Sequence, residues 1–393
     1  MRKSIRRTAA AFVALALVGA ACSSDDSSDS DSTEASAETE APADTEASAD
    51  TEAPADTEAP ADTDAVDVVQ SEGSLLAAVQ DAGVLRCGTR DALPGFAVLE
   101  SDGTHVGFDS DFCRVIAAAV LGDAEAVDNV DLETADRFTA LQSGEVDVLV
   151  RNTTWTATRD GAEGATFLQP TYYDGQGMMV ATDSGFAALT DMDGVIICVA
   201  QGTTTEGNAA TESARLGLDW EVRAFDSNEL IQEAFLAGQC DGWSADSSAL
   251  VGERSIYPDG PEAVTILPEV FSKEPLAPLV NDGDTQWAQA VNWAILATIQ
   301  AEEFGITSEN IDTFADTDDI QIQRFLGLDV DSDDGAAVLD PGLGLPTDFA
   351  FQVVSQVGNY AEIFDAHLTP LGLERGVNAL WLDGGLMYAP PYR

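Results

Sequence analysis

Two stretches of this sequence run through the same plan, a short helix, a glycine stop and a buried strand, and a chain built twice from that unit has few folds open to it. In the first, Phe138 and Leu141 share a helical face, Gly144 ends the helix, and Val146, Val148, Leu149 and Val150 read as a strand covered on both sides. In the second, Leu236, Gly238 and Asp241 repeat closely the spacing of Leu141, Gly144 and Asp147, with a helix before and a strand after. The pattern predicts an α/β fold of two similar lobes. Five residues beyond each aspartate stand Asn152 and Asp246, and Thr153, Thr154 and Arg159 continue the polar run in the first unit. Ligands of open α/β sheets bind beyond the carboxyl ends of strands, so a small zwitterion held between the lobes is the expected cargo.

The ends of the chain bound where such a fold works. Basic Arg2, Lys3, Arg6 and Arg7 precede an uncharged run from Ala9 to Ala21 and then Cys22. Residues 1–21 therefore read as a secretory signal, too short for the ~20-residue helix that spans a bilayer. Gly19, Ala20 and Ala21 before Cys22 resemble a bacterial lipobox, which makes Cys22 the expected lipid attachment site and the lipid the expected membrane contact. Residues 22–67 are acidic, with four copies of a TEAPAD-like hexamer over residues 39–62, and cannot bury enough apolar surface to order. A coil of about 45 residues averages roughly 40 Å end to end, a flexible tether. The net charge of −53 argues against nucleic acid or an anionic membrane surface as partner.

Within the remainder, residues 84–88 read as a strand entering a loop with Arg90, Asp91, Leu93 and Phe96, and Asp109 is placed to cap the helix that follows. A strand at residues 178–181 closes the first part of lobe 1, residues 68–181, with a crossing near residues 182–188. Lobe 2 is expected over residues 182–274, with the return crossing at 272–278, and residues 275–393 hold the return to lobe 1 and a C-terminal extension with a helix around 349–363. Thr203 and Glu206 have capping-box spacing, so free N–H groups at a helix start there would attract a carboxylate. Four cysteines in the fold of an exported chain suggest disulfides, with three connectivities open. Pairing Cys87 with Cys113 and Cys198 with Cys240 keeps each bridge inside one lobe. No Cys or His pair has metal-ligand spacing, and no cofactor motif is present.

Seven separated motifs, GEVDVLVRNTTWTATR, PTYYDGQG, QGTTTE, SKEPLAP, AEEFGITSEN, QVGNY and GLMYAPPYR, lie in order over about residues 75–393 and resemble the general L-amino-acid-binding proteins of bacterial ABC importers. The resemblance implies a two-lobed periplasmic-binding-protein fold (type II) with two crossing strands as a hinge and the ligand in the interlobe cleft. It implies a monomeric receptor that delivers amino acids to an ABC permease and ATPase, either in the periplasm or as a lipoprotein on the outer side of the cytoplasmic membrane. By position it gives Arg159 the ligand α-carboxylate, with Thr154 and the Asn152 main chain beside it, Thr203 and Thr204 further carboxylate contacts, and Asp246 the α-ammonium. Guanidinium geometry suits a carboxylate and a buried ammonium needs a counter-charge, so the physics agrees. Trp155, Tyr172 and Tyr173 are expected to wall the side-chain pocket, with Arg90 and Leu93 opposite.

Two other classes use such a fold. A dehydratase-like enzyme would need a proton donor in the pocket, and neither histidine, His105 nor His367, lies in the matched ligand loops. A sensor that presents the loaded receptor to a signalling partner would use the same pocket.

Overall fold

The computed structural model describes residues 74–330 and 338–392; the signal segment, Cys22 and the acidic tether lie outside the described residues. Two five-stranded sheets form the centres of two lobes. In lobe 1 the spatial order is Val127–Asp131, Leu85–Thr89, Val148–Leu149, Leu279–Asn281, Ala165–Phe167; in lobe 2 it is Glu221–Phe225, Ile196–Ala200, Gly242–Asp246, Gln176–Ala181, Val264–Ile266. The first three strands of each sheet are parallel and the fourth is antiparallel to the third. The repeated unit read in the sequence is repeated in atoms. The Asp147 amide donates to the Arg86 carbonyl and its carboxylate accepts from the Arg86 amide, and Asp241 makes the same pair of bonds with Ile196. Each aspartate thereby fixes the register at the start of its strand, and the strand carries its polar end to the same edge of the sheet.

The lobes are joined by Tyr172–Asp174 and Glu274–Leu276, an antiparallel pair in which Asp174 faces Glu274. The crossing therefore precedes residues 178–181 instead of following them. Met178 and Val180 pack on one side of the lobe 2 sheet and Met179 on the other, so this apolar run is the antiparallel strand of lobe 2 and not the last strand of lobe 1. The expected boundary at residue 181 moves back to the crossing, and residues 175–273 make lobe 2.

Both cysteine pairs form as expected, Cys87 with Cys113 and Cys198 with Cys240, each within one lobe. The tail holds two helices where one was expected, Phe349–Gln356 and Tyr360–His367. Gly358 adopts φ 114°, a conformation that favours glycine, and Asn359 starts the second helix by accepting from the Glu362 amide while its own amide donates to the Glu362 carboxylate. These helices pack on Phe108–Leu121 and Thr285–Phe304, and Tyr392 is buried against Trp293, Phe325 and Phe349, so the tail completes the lobe 1 core.

Candidate functional site

One cavity lies where the strand ends of the two lobes face each other. On the lobe 1 side, the backbone turns sharply at Asn152, the one described non-glycine residue with positive φ, 34°. The turn is held by its amide donating to Asp109 Oδ2 at 2.8 Å and by its side-chain oxygen accepting from Arg90 at 3.3 Å. Asp109 thus holds the cavity-lining turn from inside its helix; Gly107, not Asp109, occupies the cap position. Burial pushes the Asp109 carboxyl up to about 7, with the Asn152 amide, Arg90 and Arg151 opposing the rise.

Arg159 sits on the short helix Ala157–Ala162, started by Thr156 Oγ1 accepting from the Arg159 amide at 3.2 Å. Its guanidinium is buried and donates to the Thr154 carbonyl at 2.9 Å and, across the cleft, to the Gly202 carbonyl at 3.3 Å. Arg151 is spent on the Leu132 carbonyl and Thr134, and burial lowers its pKa to about 9. Arg137 comes from the first turn of helix Arg137–Ser143 and reaches the same Gly202 carbonyl at 3.4 Å. Burial, then the neighbouring arginines, depresses its proton affinity.

The lobe 2 side starts at Ala200, the end of a strand, and at helix Thr204–Leu216. Thr203 precedes that helix but forms no capping box; its hydroxyl donates to the Ala200 carbonyl at 2.7 Å, so the helix's first amides keep no side-chain partner from it. Thr204 donates to Glu274 Oε2 at 2.8 Å, and its hydroxyl lies 3.5 Å from that of Thr154 in the other lobe. Asp246 ends strand Gly242–Asp246, and among the described residues no donor bonds its carboxylate. Burial, then Asp174 and Glu274, raises its pKa well above the usual carboxylate range, with Arg159 and Arg137 opposing. Asp174 is itself pushed up to about 6 by burial, although the Ser248 hydroxyl and the Gly175 amide donate to it. An ammonium placed among these acids would favour their charged forms.

The structure brings Arg90, Asn152, Thr154, Arg159, Thr203, Thr204 and Asp246 to this cavity. It does not bring Leu93, Trp155, Tyr172 or Tyr173. Leu93 is in the lobe 1 core, and Tyr172 packs among Phe96, Phe108 and Phe364. Trp155 turns outward and stacks on Phe167 beside a separate groove on lobe 1. Tyr173 is fixed on the crossing strand by main-chain bonds to the Asn378 side chain. Their aromatic character served packing, which adjacent position in the chain does not reveal. The sequence reading missed Arg137, Arg151, Thr205, Asn228 and Trp243 in the lining. For Arg137 a signal existed: it stands in helical register with buried Ala140 and Leu141, a charge inside an apolar stripe.

Comparison with known proteins places the chain. Residues 85–309 match the bacterial extracellular solute-binding proteins, family 3. The chain belongs to that family. It is 43% identical over 332 residues to the general L-amino acid-binding periplasmic protein AapJ of Rhizobium johnstonii, covering 84% of this chain and 96% of that protein. It is also 43% identical to the glutamate/glutamine/aspartate/asparagine-binding protein BztA of Rhodobacter capsulatus, over 82% of this chain and 94% of that one. Among solved structures it matches an ABC transporter periplasmic binding protein from Brucella ovis with glutathione bound, with TM-score 0.77 and 40% identity over 81% of this chain and 99% of the other. These family members are binding proteins rather than enzymes. No helix among the described residues of this solute-binding protein is long and apolar enough to cross a membrane.

Proposed function

We propose that this chain is the receptor of an ABC importer that captures L-amino acids with polar side chains and hands them to its permease. The observation that carries the reading is the opposition of Arg159 on lobe 1 and Asp246 on lobe 2 across one cavity. A zwitterion satisfies both only when the lobes approach, so the ligand favours the closed arrangement and shifts the population toward it. Arg159 and Thr154 take the α-carboxylate, the helix start at Thr203 and Thr204 adds to it from lobe 2, and Asp246 takes the α-ammonium. Arg90 reaches the side-chain end. Relatives that bind L-amino acids support the class of ligand. Both histidines are bonded elsewhere, His105 to Asp131 and His367 to Asp111, and neither lines the cavity, which favours binding over proton-transfer chemistry. Export by residues 1–21 and a lipid on Cys22 would hold the monomeric receptor outside the cytoplasmic membrane.

Calorimetric titration of ligand-stripped protein against the twenty L-amino acids tests the reading, with sugars and dicarboxylates as controls. Binding is expected to several polar L-amino acids and to vanish when the α-amino or α-carboxyl group is removed. Arg159→Ala is expected to lower affinity at least tenfold, as loss of a buried charge-assisted contact does, with the fold intact by circular dichroism. Unchanged affinity would sink the assignment.

A further inference from the structure

Of the four arginines lining the cavity, three have counter-charges or full bonding of their own. Arg151 is bonded to Leu132 and Thr134, with Glu133, Asp109 and Asp91 nearby. Arg90 is bonded to Asn152 and feels Asp109 and Glu253. Arg159 has Glu274, Asp246 and Glu163 around it besides its carbonyl bonds.

Arg137 differs in its charges. It is 4% exposed and its one hydrogen bond is the 3.4 Å contact to Gly202; its Nε is buried without a partner, as is that of Arg90, but Arg90 has Asp109 and Glu253 to oppose it. Its guanidinium lies 5.2 Å from the Phe138 ring centre, and that of Arg159 lies 5.7 Å from the same ring, so the two cations share one patch of the lobe 1 wall. The acid that bears on Arg137 is Asp246. A simple zwitterion spends Asp246 on its ammonium and Arg159 on its carboxylate, which leaves Arg137 a buried cation with nothing opposite. Burying an uncompensated charge is costly, and a second carboxylate on the ligand removes that cost while matching the guanidinium fork.

We infer that Arg137 is a specificity-determining residue that binds a side-chain carboxylate, so that the site prefers acidic L-amino acids over their amides; the inference rests on the amino-acid reading of the same cavity. The ligand then places its α-carboxylate on Arg159 and its second carboxylate on Arg137, with the ammonium on Asp246. An amide side chain can accept a hydrogen bond from Arg137 but brings no charge.

The test is calorimetric titration of L-glutamate, L-aspartate, L-glutamine and L-asparagine into stripped wild-type protein, Arg137→Gln and Arg137→Lys. Wild type is expected to bind the acids at least tenfold more tightly than the amides. Arg137→Gln should lower acid affinity at least tenfold and amide affinity less than threefold, and Arg137→Lys, which keeps the charge without the fork, should recover part of the preference. Equal losses for acids and amides in Arg137→Gln would give Arg137 to the α-carboxylate and overturn the inference. Should Arg137→Gln fail to fold, an acid-to-amide ratio unchanged between wild type and Arg137→Lys overturns it. Amides bound as tightly as acids by wild type would remove this inference alone, whereas silence toward all four and toward neutral amino acids would remove the amino-acid reading beneath it.

Discussion

Lobe 1 meets the cavity with Arg90, Arg137, Arg151 and Arg159, whereas lobe 2 and the crossing strands meet it with Asp246, backed by Asp174 and Glu274. Two of the cations are held from within lobe 1, by the carbonyls of Leu132 and Thr154 and by the Thr134 hydroxyl, and Arg137 and Arg159 also reach the Gly202 carbonyl across the cleft. The acids are held by hydroxyls and amides of lobe 2 and the crossing, Thr204, Asn208 and Ser272 on Glu274 and Ser248 on Asp174. Each wall taken alone concentrates one sign of charge out of water, which is unfavourable. Under the proposed function, a bound molecule that carries both signs would relieve both walls at once, which would make recognition and closure the same event.

The sharpest way to break this comparison is to remove the sign from lobe 2. Asp246→Asn should cost on the order of a hundredfold in affinity for L-amino acids, since truncating one side of a buried charge pair strands the other. The corresponding 2-hydroxy acids, which lack the ammonium, should change little, and calorimetry on both series reads the difference. A smaller effect is expected where the walls meet without charge. Gly252 of lobe 2 passes under the Pro94 carbonyl of lobe 1, and a Cβ there would stand 2.6 Å from that oxygen, a main-chain atom that cannot step aside cheaply. Gly252→Val should hold the lobes apart and weaken every ligand alike, on the order of tenfold, with a larger radius of gyration in the presence of ligand by small-angle scattering. A ligand-selective loss would place that contact in the recognition site instead.

The smallest effect concerns the acid hidden behind the arginines. Asp109 has its carboxyl raised from 3.8 to about 7, mainly by burial. The folded chain then holds a proton that the unfolded chain releases, so this group's contribution to stability falls as pH rises from about 3.8 to about 7 and is flat above. Asp109→Asn, which can still accept from the Asn152 amide, should flatten that slope in thermal melts across the window. An unchanged slope would assign the pH dependence to the lobe 2 acids.

The α/β class and the duplicated unit were legible because each depends on local spacing, whereas Arg159 and Asp246, which line one cavity, were singled out by the family resemblance. Period and glycine stops mark the elements, and Asp147 and Asp241 mark equivalent strand starts in both lobes. The crossing was misplaced because a strand buried on both faces looks the same in either lobe. Met178, Met179 and Val180 name no partner sheet. The aromatic wall failed for a related reason: Trp155, Tyr172 and Tyr173 adjoin cavity-lining segments in sequence, yet local backbone direction and tail packing turn them elsewhere. Arg137 needed the opposite inference, that a charge in a buried helical stripe faces a polar cavity.

The crossing strands stand side by side, Asp174 opposite Glu274, so lobe 2 leaves and rejoins lobe 1 through adjacent points. It is therefore a cassette. A segment whose ends are neighbours can be exchanged for a related one at a single junction without disturbing the host's core, as insertions tolerated elsewhere in proteins show. Between proteins of this plan, the half of the cavity that carries Asp246 can be exchanged separately from the half that carries Arg159.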